Sequence, residues 1–139
     1  MKNSLLRISL VAITILALFS ACTTGPGAGG KASIQGKVHM TNRWSAACTE
    51  LAQPFANFYA GDVDVYIIYG DDPSYGDRVK TGPDGTFWFK YLRPGKYTVY
   101  AFSKDCNAAD GSESEVIKLE CEITDKNQVL ITEDLELEK

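Results

Sequence analysis

The chain has 139 residues, with 18 acidic and 14 basic side chains, a formal net charge of −4, one histidine and four cysteines. That length holds one domain with one core and leaves no room for a second lobe. The acid excess argues against nucleic-acid binding, which depends largely on cations neutralising phosphate, and a lone histidine with no Cys-x-x-Cys pair argues against a zinc site.

Lys2 and Arg7 precede an apolar run from Leu10 to Phe19, which ends in Phe19-Ser20-Ala21-Cys22. The run is shorter than the roughly 20 residues a membrane-spanning helix needs, so residues 1–21 read as a cleaved signal peptide. The ending resembles the lipobox of bacterial lipoproteins. That resemblance implies a diacylated Cys22, cleavage before it, and further acylation, commonly palmitate, on the new amino terminus. Loss of Lys2 and Arg7, with no acid lost, takes the mature chain from −4 to −6. Thr23 is not the aspartate that retains enteric lipoproteins in the inner membrane, so the resemblance implies the outer membrane. The absence of an early acidic run favours its periplasmic face over the cell surface. Residues 22–31, containing TTGPGAGG, read as a lipidated flexible tether that keeps a domain over 32–139 within about 20 Å of the membrane.

From there short strands with turn punctuation are expected: Ser33 to Met40, Val63 to Tyr69, Arg78 to Lys80, Thr86 to Tyr91, Tyr97 to Ser103, Glu115 to Thr124 and Gln128 to Leu137. Alternation assigns their faces. Val63, Val65, Ile67 and Tyr69 oppose Asp62, Asp64, Tyr66 and Ile68; Phe87 and Phe89 oppose Trp88; Tyr97, Val99 and Ala101 oppose Tyr100 and Phe102. Pro83-Asp84-Gly85 and Pro94-Gly95 supply tight reversals. No stretch keeps a helical period over three turns. The expected fold is therefore all-β, a seven-stranded antiparallel β-sandwich.

Ile34-Gln35-Gly36-Lys37-Val38, Val63-Asp64-Val65-Tyr66-Ile67, Asp84-Gly85-Thr86-Phe87-Trp88-Phe89 and Leu92-Arg93-Pro94-Gly95-Lys96-Tyr97-Thr98-Val99 follow one another in order. This succession resembles carboxypeptidase regulatory-like domains of the prealbumin-like (transthyretin-like) group, over about residues 32 to 137. The resemblance implies an accessory or binding module. A related group carries a Lys-to-Asn isopeptide bond, but Lys37 falls on an outward face and the last strand has no asparagine, so that bond is not expected here. About 41–61 is a long insertion relative to the family, and long loops in compact domains are often functional. Within it, Ser45 to Ala52 has the composition for one or two helical turns.

Acylation of Cys22 leaves Cys48, Cys106 and Cys121 in an oxidising compartment. Cys121 continues the apolar alternation of Ile117, Leu119 and Ile123 and reads as a core thiol, out of register with Cys106 across a hairpin. This favours a Cys48–Cys106 disulfide, worth roughly 4 kcal/mol in the chain-entropy model; three free thiols are the alternative.

Two surfaces are candidate sites. Outward Tyr66, Trp88, Tyr100 and Phe102 suit sugar rings or a partner protein, unless the insertion folds back and buries them. The Tyr69–Asp77 loop, with Asp71, Asp72, Asp77, Tyr69 and Tyr75, suits sugar hydroxyls or calcium, unless its acids serve only the turn. The acids from Asp105 to Glu115 miss the register of a calcium loop, so no metal and no cofactor are expected. No nucleophile elbow, phosphate loop or Ser/His/Asp set is present, and an enzyme is not expected. The sequence reads as a lipid-anchored, noncatalytic envelope protein that binds a protein partner. A carbohydrate-binding module using Trp44, Tyr69, Asp71, Tyr75 or Trp88 is the alternative, and a purely structural lipoprotein the third reading.

Overall fold

The computed structural model describes residues 25–43, 54–105 and 114–139. Cys22, Trp44, Cys48 and Cys106 lie outside them, as do residues 45–52, so lipidation, the disulfide and the helical turns expected there are not described. All nine described elements are strands: β1 (Ala28–Arg43), β2 (Pro54–Tyr59), β3 (Asp64–Tyr69), β4 (Asp77–Lys80), β5 (Thr86–Leu92), β6 (Gly95–Lys104), β7 (Ser114–Ile123), β8 (Val129–Ile131) and β9 (Leu135–Glu138). They form two sheets. One has five strands, in which β1 pairs with β2, β5, β8 and β9; the other has four, in the antiparallel order β4-β3-β6-β7.

The strands form because apolar residues alternate with polar ones, and burying the apolar face of each sheet against the other satisfies both. Ala32, Ile34 and Val38 of β1, Phe87 and Phe89 of β5, and Leu135 and Leu137 of β9 face Val65 and Ile67 of β3 and Tyr97, Val99 and Ala101 of β6. Each of these is at most 2% exposed. Full burial of one of the larger side chains stabilises by about 1.5–3 kcal/mol. Gly36 interrupts the inner row of β1 for a steric reason. A Cβ there would lie 2.2 Å from Thr132 Oγ1 and 2.5 Å from Phe87 Cζ, so its absence lets the Phe87 ring fill the core. The turn into β5 uses Gly85 at φ 77. Beside it, Asp84 accepts from the Thr86 hydroxyl at 2.7 Å and from the Thr86 amide at 3.2 Å, and these bonds hold the carboxyl below its usual range.

Two sheets face to face agree with the expected sandwich, but the details differ. Nine strands replace seven. One of the additions, β2, comes from the stretch read as a loop insertion; it pairs antiparallel with the end of β1, from His39↔Tyr59 to Arg43↔Pro54. The other arises because Gln128 to Leu137 is not one strand. Residues 132–134 stand where β1 supplies only Gly36 and Lys37, since the pairing moves from Gln35↔Ile131 to Val38↔Leu135, and the extra residue breaks the strand into β8 and β9. Both run parallel to β1, so the five-stranded sheet is mixed rather than antiparallel.

The tether also ends earlier than expected. β1 begins at Ala28, paired with Leu92, and the chain is held from Gly27 onward. The Gly27 amide donates to Tyr97 Oη at 2.9 Å, the Gly27 carbonyl accepts from the Arg93 amide at 2.9 Å, and Tyr97 Oη donates to the Arg93 carbonyl at 2.6 Å. Arg93 Nη1 reaches the Gly25 carbonyl at 3.4 Å. Glycine permits this docking by close approach: a Cβ on Gly30 would sit 1.8 Å from the Leu92 carbonyl oxygen. A stretch read as solvated spacer through residue 31 is thus part of the folded body.

Candidate functional site

The alternation that turns Val65, Ile67, Val99 and Ala101 inward turns Tyr66, Tyr100 and Phe102 onto the outer face of the four-stranded sheet. Pairing then lines them up. Tyr66 stands opposite Tyr100, Arg78 opposite Tyr66, Lys118 opposite Tyr100 and Val116 opposite Phe102, so one row reads Arg78, Tyr66, Tyr100, Lys118 across four strands. The Tyr66 and Tyr100 rings stack at 5.1 Å and 14°. Phe102 meets both edge-on, at 5.7 Å from Tyr66 and 5.8 Å from Tyr100. Tyr75 joins from the β3–β4 loop, edge-on to Tyr66 at 5.2 Å. The Gly76 amide donates to the Ile67 carbonyl at 2.8 Å and brings that loop back beside β3.

Such ring pairs contribute about 0.5–1.5 kcal/mol each beyond their burial, enough to fix the cluster before any ligand arrives. Tyr75 at 54%, Phe102 at 50% and Val116 at 40% remain exposed, so the patch is open to solvent. Its polar groups are equally placed. The Tyr66 hydrogen bond, followed by the charge of Asp64, raises the pKa of the Arg78 guanidinium. Asp64 Oδ1 is shielded from solvent without a hydrogen-bond partner, 3.6 Å from Arg78 Nε. Burial, followed by the neighbouring Tyr66 and Tyr75, pushes the Tyr100 hydroxyl up, so it stays protonated at neutral pH. The result is an exposed amphipathic aromatic surface with a cation at each end of the row and Asp64 held beside Arg78.

The residues predicted from sequence do not converge on one site. Trp88 lies on β5, in the opposite sheet, so it is separated from Tyr66, Tyr100 and Phe102, with which it was grouped. It is 46% exposed, and Lys90 Nζ sits 3.8 Å from its ring centroid. Tyr69 turns inward, edge-on to Tyr97 at 5.9 Å and partly buried against the core, with Gly76 packed on its ring. Burial, followed by the Asp77 charge, raises its pKa. Asp71 is exposed and borders a shallow depression of about 410 Å³ with Lys96, Glu120 and Glu122. Among the described residues no three His, Cys, Asp or Glu side chains are grouped to hold a metal ion.

Nor does the described part of the insertion cover the Tyr66 cluster. β2 extends the other sheet, where Tyr59 donates to Asp134 at 3.1 Å and takes the Lys37 ammonium over its ring at 4.5 Å. Sequence reasoning missed the Tyr66–Tyr75 contact. The signal was Gly76 immediately after Tyr75, the residue that lets the loop close on β3.

No family model and no curated protein sequence matches this chain. Among solved structures it is similar to a candidate carbohydrate-binding protein of Pseudomonas aeruginosa, with 14% sequence identity and a TM-score of 0.48 over 81% of this chain and 91% of that one. A likeness at this level assigns no ligand to either sheet.

Proposed function

We propose that this chain is a noncatalytic binding module, held to the outer membrane by acylated Cys22, whose Tyr66–Tyr75–Tyr100–Phe102 surface docks a protein partner in the periplasm. The observation that carries the reading is the open aromatic patch, with Tyr75 and Phe102 about half exposed and each set edge-on to Tyr66, which itself stacks on Tyr100. Contiguous apolar surface rimmed by polar groups favours association, and tyrosine offers large contact area at small entropic cost. Tyr66 and Tyr100 each turn one face on the other, which withholds those two faces from a stacking sugar ring. The membrane anchor rests on the Leu10–Phe19 run and Ser20-Ala21-Cys22. The prealbumin-like assignment rests on the order of the Gly36, Asp84-Gly85 and Pro94-Gly95 motifs.

The test places a photocrosslinking amino acid at Val116 in the native lipidated protein and compares the parent with Tyr75→Ala and Trp88→Ala. A discrete envelope protein captured in the parent and the Trp88 variant but lost in the Tyr75 variant supports the reading. Capture that survives Tyr75→Ala, or no capture in the parent, overturns the reading. A saturable glycan response abolished by Tyr75→Ala would instead select the carbohydrate alternative.

A further inference from the structure

The N-terminal segment fixes one pole of the sandwich by the way it docks. Gly25, Pro26 and Gly27 lie against the β5–β6 turn: Gly27 is bonded to Arg93 and Tyr97, and Pro26 contacts both Gly70 and Gly95. Only three peptide units separate Cys22 from Gly25, and a fully extended chain spans at most about 3.6 Å per residue. Cys22 therefore stands within about 11 Å of this pole, a third of the roughly 32 Å that the chain from Cys22 to residue 31 spans at full extension.

At the same pole, Tyr91 is 70% exposed and holds φ 60, a conformation an L-residue other than Asn or Asp rarely adopts. Tyr91 lies within β5 at a bulge, where two residues of β5 stand against one of β1 between Ala32↔Leu92 and Ile34↔Phe89; the bulge accounts for the left-handed backbone, but glycine would serve it better, so a bulky exposed aromatic there calls for a further reason. Arg93, Lys96 and Lys126 stand at this pole with Asp71, Glu122 and Asp125, so its charge is mixed rather than basic. The opposite pole is where β1 ends at Arg43 and β6 at Lys104, tied together through Ser103, Glu138 and Thr41.

We propose that the pole formed by the β5–β6 turn rests on the lipid surface, with Tyr91 seated among the headgroups, and that the Arg43–Lys104 pole points away from the membrane. The proposal rests on acylation of Cys22, which supplies the anchor. The short length of chain between Cys22 and Gly25 then sets the orientation, and Tyr91 supplies the amphipathic ring that favours the boundary between headgroups and acyl chains. Contact is local to one turn. It needs no basic patch, which fits the mixed charge of the pole.

The test uses the full lipidated protein in phosphatidylethanolamine–phosphatidylglycerol vesicles containing brominated lipid, in a Trp44→Phe, Trp88→Phe background. A single tryptophan is placed by Tyr91→Trp or by Phe102→Trp, seven residues along β6 from Gly95 and about 24 Å away at 3.4 Å per strand residue. Intact mass and co-flotation report the anchor independently. With the lipid mass present, loss of fluorescence at residue 91 and none at residue 102 supports the orientation. Equal quenching at both sites, or stronger quenching at 102, overturns it while leaving acylation intact. Absence of the lipid mass overturns the anchor and the orientation together.

Discussion

Replacing Tyr97 by phenylalanine isolates the clasp on the N-terminal segment, because ring volume is kept and only the hydroxyl leaves. That hydroxyl accepts from the Gly27 amide at 2.9 Å and donates to the Arg93 carbonyl at 2.6 Å; its 3.4 Å approach to the Gly27 carbonyl is the weaker contact. Two hydrogen bonds at about 0.5–1.5 kcal/mol each give a loss of about 1–3 kcal/mol, with no cavity contribution. The upper end applies if Gly27, which is buried, stays in place with its amide unpartnered; the lower end applies if residues 25–27 lift off and hydrate. Midpoint temperature should fall by roughly 4 °C per kcal/mol. The assay is urea denaturation of the chain without residues 1–21 and with Cys22→Ser, beside hydrogen exchange at the Gly27 amide. A stability change under about 0.5 kcal/mol with unchanged Gly27 exchange would refute the clasp. Alkaline titration adds a sign. Burial, the largest influence, raises the Tyr97 pKa above its ordinary value, partly offset by the bonds to Gly27 and Arg93. The stability tied to its neutral form is complete below the unfolded value of about 10 and is lost as pH rises through the folded value, so the phenylalanine variant should lose less stability than the parent across that range.

Phe87→Ala removes a ring that is 1% exposed and should cost about 3–5 kcal/mol in the same urea assay; a loss below about 1 kcal/mol would mean the ring is not in the core. Gly36→Ala drives a methyl to within 2.2 Å of Thr132 Oγ1 and should destabilise by at least about 1–3 kcal/mol, and a neutral outcome would place the β1–β5–β8 register in doubt. Burial pushes the Cys121 thiol up to about 11, which leaves about one thiol in a thousand ionised at pH 8. Iodoacetamide should therefore label Cys121 slowly in the native protein and fast in urea, and equal rates would contradict its burial. A nonreducing peptide map should contain a Cys48–Cys106 linked peptide, and three free thiols in that map would remove the disulfide from the account.

The inward rows were legible because the apolar residues of β3, β5 and β6 alternate without interruption: Val65 and Ile67, Phe87 and Phe89, Tyr97, Val99 and Ala101. Period two fixes which residues share a face of one strand, and it carries no information about which sheet that strand joins. Trp88 was therefore correctly turned outward yet grouped with tyrosines of the other sheet. Docking of residues 25–31 was illegible for a different reason. It is made by backbone hydrogen bonds, by the positive φ of Gly27 and by the missing Cβ of Gly30, and a glycine run looks the same in sequence whether it is solvated or pressed against Leu92. The division of the last strand was hidden in a single extra residue between β8 and β9, a register effect with no compositional mark. The aromatic site was half visible. Its strand members followed from alternation, while Tyr75 needed the loop closure made by Gly76.

The long β1 strand also bears on how the molecule carries a mechanical load. It runs without a break from Ala28 to Arg43 and pairs with four other strands, two antiparallel and two parallel. A pull on the N-terminus enters along the axis of β1, once the Gly27 bonds have taken the first strain. Hydrogen bonds to β5, β8, β2 and β9 lie across that axis, so they are loaded together in shear and cannot be unzipped one at a time. Forced unfolding is governed by the unfolding barrier rather than by equilibrium stability. A domain tugged from its amino end against a surface thus resists through its longest strand, whereas a pull on the C-terminus meets the four residues of β9 first.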